Sequence, residues 1–509
     1  MSRLGVRPLP LTRIVCGTLA VLLLFTALGG TPSSTAQAQE VTPRFEDARC
    51  TFPLPEGYRV RCGNLYVPEN RSDPASKTIS LAVAIVKSKS RTPAPDPIVY
   101  LDGGPGGHTL FTMHIMLTEY FAKYASKRDF IIFDQRGVGL SEPALDCEEL
   151  NRSTVDQLRR PMTQAETNDA RNVLLKQCHD RLVEEGIDLA AYNSQENAAD
   201  LNDLRLALGY EQWNLYGISY GTRLALTAMR DFPDGIRSVV LDSTYPPNAA
   251  LYDDIPSNAN RSFSALFKDC AADRRCNRAF PKLEAEFYKL VEELNANPVS
   301  VNVDFGSRRY KVVITGWRMM DTLFDLMYST RAIPYLPRLI WDVKEGNYDD
   351  LAERLLEANI GTRSAFSTGM YYSVQCQEEV GFSTKDQLDT ADAAFPEQFG
   401  TFSTSNVFSI CESWQLNPAP AVENRPVVSD IPTLIMAGQY DPITPPSYGK
   451  LAAESLDNAY YFEFPGTGHG ASVAGVCPTS IMQAFLNAPF RKPTSACIKR
   501  MEAPEFVTW

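Results

Sequence analysis

Histidine is scarce in this chain, with four among 509 residues. No Cys-x-x-Cys pair occurs. A clustered zinc site therefore has little to draw on, and no metal or other cofactor is expected. Positive charge is also in deficit: Lys and Arg number 49 against 61 Asp and Glu, a net charge of −12. Such a surface disfavours nucleic acid and anionic membrane as partners. Past the first forty residues no run is apolar enough to span a bilayer. There is no internal repeat, and no low-complexity tract beyond a short linker near the N-terminus. The composition itself is 44% apolar, 10% aromatic and 22% charged. These fractions support a sizeable core and exclude a largely disordered or collagen-like chain. The length suits roughly two to four domains, or one large α/β domain carrying an insertion.

The N-terminus has the pattern of an exported protein. Arg3, Arg7 and Arg13 precede the apolar run Ile14–Leu28, and Ala36-Gln37-Ala38 supplies a small-x-small cleavage signal. The run is shorter than the about twenty apolar residues a membrane span needs. Residues 1–38 are expected to be a signal peptide, leaving a secreted or periplasmic protein with no membrane attachment after cleavage. Eleven cysteines less Cys16 leave an even set suited to an oxidising compartment. Connectivity does not follow from sequence. Pairing in chain order is the expectation: Cys50–Cys62, Cys147–Cys178, Cys270–Cys276, Cys376–Cys411 and Cys477–Cys497.

A Pro- and Gly-rich entry leads to a strand at Thr78–Lys87. Short apolar runs follow at Ile98–Leu101 and Phe130–Phe133, with helical patterns at Gln164–Glu185 and Asn197–Leu208. Trp213–Tyr216 reads as a strand, Gly217–Gly221 as a tight turn, Thr222–Arg230 as a helix and Ser238–Leu241 as a strand. This alternation predicts a mostly parallel α/β sheet with helices on both faces. From about Pro247 to Pro426 the pattern is mainly helical, with one hairpin at Val299–Ile314. The α/β rhythm resumes at Thr433–Ala437 and Tyr460–Phe464, and Ser480–Leu486 reads as a closing helix. The expected domains are a core at 39–246 and 427–509, split by a cap at 247–426.

Gly217-Ile218-Ser219-Tyr220-Gly221 is a G-x-S-x-G motif set between a strand and a helix, the context of a nucleophile elbow. A serine hydroxyl needs a base to take its proton, and in this arrangement acid and histidine follow it in chain order. His469 alone lies well downstream, in a glycine-rich loop after the last strand. Asp441, after the preceding strand, is placed to accept the imidazole N–H. His108, His114 and His179 precede the serine and read as structural. The developing oxyanion needs preorganised donors. The backbone N–H of Tyr220 is one, and Gly104, in the Gly103–Gly107 loop after Ile98–Leu101, is the other. Arg136 reads as a structural ion pair rather than a substrate ligand.

At these residues the chain resembles the α/β-hydrolase proline iminopeptidases, and more closely their secreted tripeptidyl aminopeptidase branch. The carriers are Gly103–Gly107 (GGPGG), Asp134–Ser141 (DQRGVGLS), Gly217–Thr222 (GISYGT), Gly438–Pro442 (GQYDP) and Gly468–Gly470 (GHG). Asp102 replaces the His that often precedes the glycines, and Tyr220 replaces the Trp after the serine; both differences point to the tripeptidyl branch. The resemblance implies an α/β-hydrolase fold with a helical cap, and release of N-terminal residues from peptides with a free N-terminus. It also implies a cap carboxylate for the ammonium, assigned to Glu378 with Glu379 beside it. A carboxylesterase or amide hydrolase with the same triad stays open, as does a non-catalytic hydrolase-fold binding protein.

Overall fold

The computed structural model describes residues 42–361 and 365–509. The expected signal peptide at 1–38 lies outside them. Nine strands form one sheet in the order β1-β2-β3-β5-β4-β6-β7-β10-β11. They are β1 (Arg44–Ala48), β2 (Val60–Pro68), β3 (Thr78–Val86), β4 (Ile98–Leu101), β5 (Phe130–Phe133), β6 (Trp213–Ile218), β7 (Ile236–Asp242), β10 (Thr433–Gly438) and β11 (Ala459–Phe464). From β5 to β11 all pairings are parallel; β1, β2 and β3 join antiparallel. The expected hairpin is β8 (Val299–Phe305) and β9 (Arg308–Ile314), which pair only with each other.

The apolar runs explain the middle of the sheet. Every residue of β4, β5 and β10 is buried, as suits parallel strands covered on both faces. Successive side chains then sort into two layers. Val99, Leu101, Ile131 and Phe133 face one core with the helix Tyr220–Asp231. Ile98, Tyr100, Phe130 and Ile132 face the other, with the helices Thr109–Met116 and Val476–Asn487. The Pro- and Gly-rich entry holds two strands that went unread, β1 and β2. Strand β1 is the exposed edge, and its Arg44, Glu46 and Asp47 discourage a further strand from pairing there.

Between β7 and β10 no described strand joins the large sheet. This insertion has two parts. Residues from Ala259 to Leu356 supply most of a separate apolar cluster, whereas Met370–Trp414 pack into the core on one face of the sheet. All five cysteine pairs form in the expected order. No described helix is long and apolar enough to cross a membrane.

Candidate active site

Strand β6 ends in a turn that places Ser219 at φ 57° and ψ −126°. A non-glycine residue there is strained and persists only when its surroundings hold it. The Ser219 N–H donates to the Asp242 carbonyl at 3.1 Å, and its own carbonyl accepts from the Thr222 N–H at 2.8 Å. The flanking glycines exist because the backbones nearly touch. A Cβ on Gly217 would lie 2.3 Å from the Gly221 oxygen, and one on Gly221 would lie 1.9 Å from the Leu101 oxygen. The motif therefore welds β4, β6 and the helix Tyr220–Asp231 into one rigid mount for the half-buried serine.

Asp441, in the loop after β10, is fully buried. Its Oδ2 lies 2.9 Å from His469 Nδ1 and accepts from Thr444 Oγ1 at 2.8 Å. Its Oδ1 accepts from the N–H groups of Ile443 and Thr444. Burial pushes this carboxyl up, but His469 and the Thr444 donors outweigh it and hold it below its ordinary value. For His469, burial pulls the imidazole down, yet Asp441, with a further contribution from Asp242, raises it overall. The Asp441 bond orients Nδ1–H and leaves Nε2 for proton transfer. The His469 N–H donates to the Tyr328 carbonyl at 3.0 Å, and the two rings pack at 4.9 Å. Among the described residues Ser219 Oγ makes no hydrogen bond to His469; such bonds are often long without substrate and tighten when it binds.

The Gly103–Gly107 loop lies directly against the serine: a Cβ on Gly103 would sit 2.8 Å from Ser219 Cβ and 3.3 Å from its Oγ. The Gly103 N–H is taken by Asp102 Oδ1 at 2.9 Å. The N–H groups of Gly104 and Tyr220 have no acceptor among the described residues, which leaves both for an oxyanion. Two acids brace the loop. Asp102 accepts from Tyr100 and Thr109 hydroxyls, and Gln135 donates to its carbonyl. Asp134, fully buried, accepts from the N–H groups of Thr109 and Leu110 and caps the following helix. Arg136 points away, paired with Asp200 at 2.7 Å and bonded to the Ala191 carbonyl. Its role is structural, as expected.

The two cap carboxylates expected to hold an ammonium are both engaged by protein groups. Glu378 accepts from the Ser194 N–H at 2.5 Å, the Ser194 hydroxyl at 2.6 Å and Arg223 Nε at 3.0 Å. Glu379 pairs with Arg223 Nη1. All three charged groups are buried. Burial pushes the Glu379 carboxyl up to about 7 even with Arg223 opposing. A buried guanidinium one turn past Ser219 requires counterions, and Glu378 and Glu379 are those counterions. The signal was Arg223 itself, a cation directly before the apolar run Leu224–Met229, where burial demands an acidic partner.

Two further acids, Asp321 and Asp325, stand one turn apart on the helix Gly316–Met327. Water reaches both, yet burial raises their carboxyls to about 6 and about 8, Asp325 being pushed further by Asp321. Neither carboxylate makes a hydrogen bond or ion pair among the described residues. Both charges reach Tyr328, the ring against His469. Tyr372, Tyr371 and Asp321 raise the pKa of Arg171 against burial. Tyr371 packs on Phe366 at 5.8 Å, and Phe366 abuts Gly104. As for metals, Cys147, Glu149 and Cys178 form the one close group of possible ligands among the described residues, and a disulfide occupies both sulfurs.

Fold and site define a serine hydrolase. A model of the alpha/beta hydrolase fold matches residues 96–475, and the chain belongs to that family. It is similar to serine protease Hip1 of Mycobacterium tuberculosis, 23% identical over 467 residues covering 86% of each chain. It is 30% identical over 224 residues to a tripeptidyl aminopeptidase of Streptomyces lividans, covering 43% of this chain and 41% of that one. Carboxylesterase B of Mycobacterium tuberculosis is 25% identical, with 86% of each covered.

Proposed function

We propose that the protein is an exported serine aminopeptidase that releases N-terminal residues, singly or as a tripeptide, from peptides with a free N-terminus. Residues 247–426 act as its cap. Ser219 Oγ attacks the scissile carbonyl while His469 Nε2 takes its proton and Asp441 stabilises the imidazolium. Gly104 and Tyr220 donate to the oxyanion. The C–N bond then breaks as His469 returns the proton to the leaving amine, and a water activated by His469 hydrolyses the acyl-serine. The observation supporting the aminopeptidase reading is the pair Asp321 and Asp325, which make no hydrogen bond among the described residues and whose charges reach Tyr328, the ring packed on His469. A substrate ammonium would give these carboxylates charge-assisted hydrogen bonds.

The test compares free peptide amides, their N-acetylated forms and simple acyl esters. Free peptides are expected to be cleaved at least tenfold better than acetylated ones. Replacing Asp321 and Asp325 by Asn should abolish that preference while sparing ester hydrolysis. If acetylated peptides react as well as free ones, a carboxylesterase or amidase reading takes over, which the similarity to carboxylesterase B favours. The complete Ser219, Asp441 and His469 set weighs against a non-catalytic binding protein.

A further inference from the structure

The last residue of β7 and the one after it touch both halves of the candidate centre. The Asp242 carbonyl accepts the Ser219 N–H at 3.1 Å. Its side chain reaches the other way: Oδ1 accepts from the Ala471 N–H at 2.8 Å, and Oδ2 from the Ser472 N–H at 2.8 Å and from the Ser472 hydroxyl. Ser243 Oγ accepts from the Gly470 N–H at 2.8 Å. Three consecutive N–H groups directly after His469 are thereby held by two consecutive residues of β7 and its exit. Ser243 itself is at φ 55°, in the left-handed region. A non-glycine residue there marks a backbone held by its surroundings.

We propose that Asp242, with Ser243, is a positioning residue that fixes the base-bearing loop relative to the nucleophile turn. It rests on Ser219 and His469 being nucleophile and base. The carboxylate sets the loop by accepting three hydrogen bonds while its own main chain is bonded to the serine, so base and nucleophile share one anchor. Asparagine cannot substitute. Its amide would turn a donor toward the N–H of either Ala471 or Ser472, because both carboxylate oxygens already accept a backbone N–H.

The surroundings make the device electrostatic as well as geometric. Asp242 is fully buried. Burial raises its carboxyl to about 6, with Ser472 and His469 opposing. The titratable groups facing it are the phenols of Tyr100, Tyr124 and Tyr216, all raised by burial and neutral in the working range, and His469. Tyr216 and Tyr124 also bond to Ser472, so the loop is held from below by β6 and by the segment before β5. The Asp242 charge contributes to the raised imidazole of His469. Removing that charge lowers the imidazole pKa.

The experiment uses the full mature chain. The second-order rate of Ser219 labelling by a fluorophosphonate is measured across pH, and His469 is titrated by NMR through its ring protons. In Asp242→Asn the plateau labelling rate should fall roughly 10–100-fold, the scale of a small misplacement of reacting groups. The acid limb and the His469 titration should both move to lower pH. Ser243→Ala should slow labelling with no shift in either, since it removes an acceptor but no charge. Wild-type labelling rates in both variants would overturn the proposal. So would a loss in Asp242→Asn with the His469 titration unmoved. Should Asp242→Asn fail to fold, an unchanged rate in Ser243→Ala overturns the latch. Absence of Ser219 labelling in the wild type would instead sink the nucleophile assignment, and the His469 titration would still read the effect of Asp242.

Discussion

Arg223 is a buried cation that two buried acids must balance. Its guanidinium is buried against Glu378, Glu379 and the Glu423 carbonyl, a few residues from the candidate nucleophile. Removing one partner from such a cluster leaves uncompensated buried charge, at a cost of about 3–5 kcal/mol. Arg223→Met is therefore expected to lower the denaturant midpoint markedly, and urea unfolding monitored by tryptophan fluorescence reads it. Asp441 works differently, because its charge serves the imidazole rather than the fold. Asp441→Asn should leave the melting temperature close to wild type but reduce kcat by about 10⁴-fold through the wrong tautomer. A loss confined to KM would contradict that role. The raised imidazole of His469 also fixes a sign. Only neutral imidazole acts as base, so kcat/KM should fall as pH drops through a value above the ordinary ~6.5 of histidine.

Among the elements, the helix Tyr220–Asp231 is the one whose placement is least negotiable. Its first turn meets the end of β4 with no room for a side chain at Gly221, where a Cβ would stand 1.9 Å from a backbone oxygen. A flexible side chain can move aside, but a strand carbonyl cannot. Gly221→Ala is expected to displace the helix N-terminus, dropping kcat at least a hundredfold and lowering stability; full activity in this variant would refute the close packing. The helix Thr109–Met116 depends on a distant acid instead. Asp134 supplies its cap from β5, which is how DQRGVGLS and GGPGG act together although some thirty residues separate them in sequence.

Across the whole molecule the charged groups coupled around the candidate centre come from elements far apart in the chain: Arg171, Asp321 and Asp325, and the His469 loop through Tyr328. Burial raises the Asp321 and Asp325 carboxyls to about 6 and about 8. They hold an ammonium only when ionised. The KM for free-N-terminal peptides should thus fall as pH rises through that range, until the substrate amine itself deprotonates near about 8. The KM for an acyl ester should stay flat, and parallel pH series on the two substrates check this. The fold is also stapled at its periphery and in the insertion. Cys376–Cys411 closes a separation of 35 residues between two helices packed on the sheet core. Replacing both by Ser is expected to cost about 2–5 kcal/mol, read as a lower melting temperature with Ser219 still labelled.

The sequence by itself determined the parts whose chemistry is local. Short apolar runs rich in β-branched and aromatic residues, such as FIIF, suit strands buried on both faces, and G-x-S-x-G between strand and helix needs its glycines for backbone contact. Chain order then singled out Asp441 and His469, which the structure brings to 2.9 Å. The even cysteine set paired with its neighbours. Strands β1 and β2 were hidden because their pattern is interrupted by Gly63 and by charges at a solvent-facing edge. What tertiary structure decided is which acids are free. Glu378 and Glu379 look available in a linear reading, and folding spends them on Arg223, more than 150 residues earlier. Asp321 and Asp325 look like an ordinary polar helix face, and the fold packs enough around that face for burial to raise their carboxyls. Charge identity is written in the chain, but desolvation and partnership depend on what the fold packs beside each group, and no local pattern encodes that.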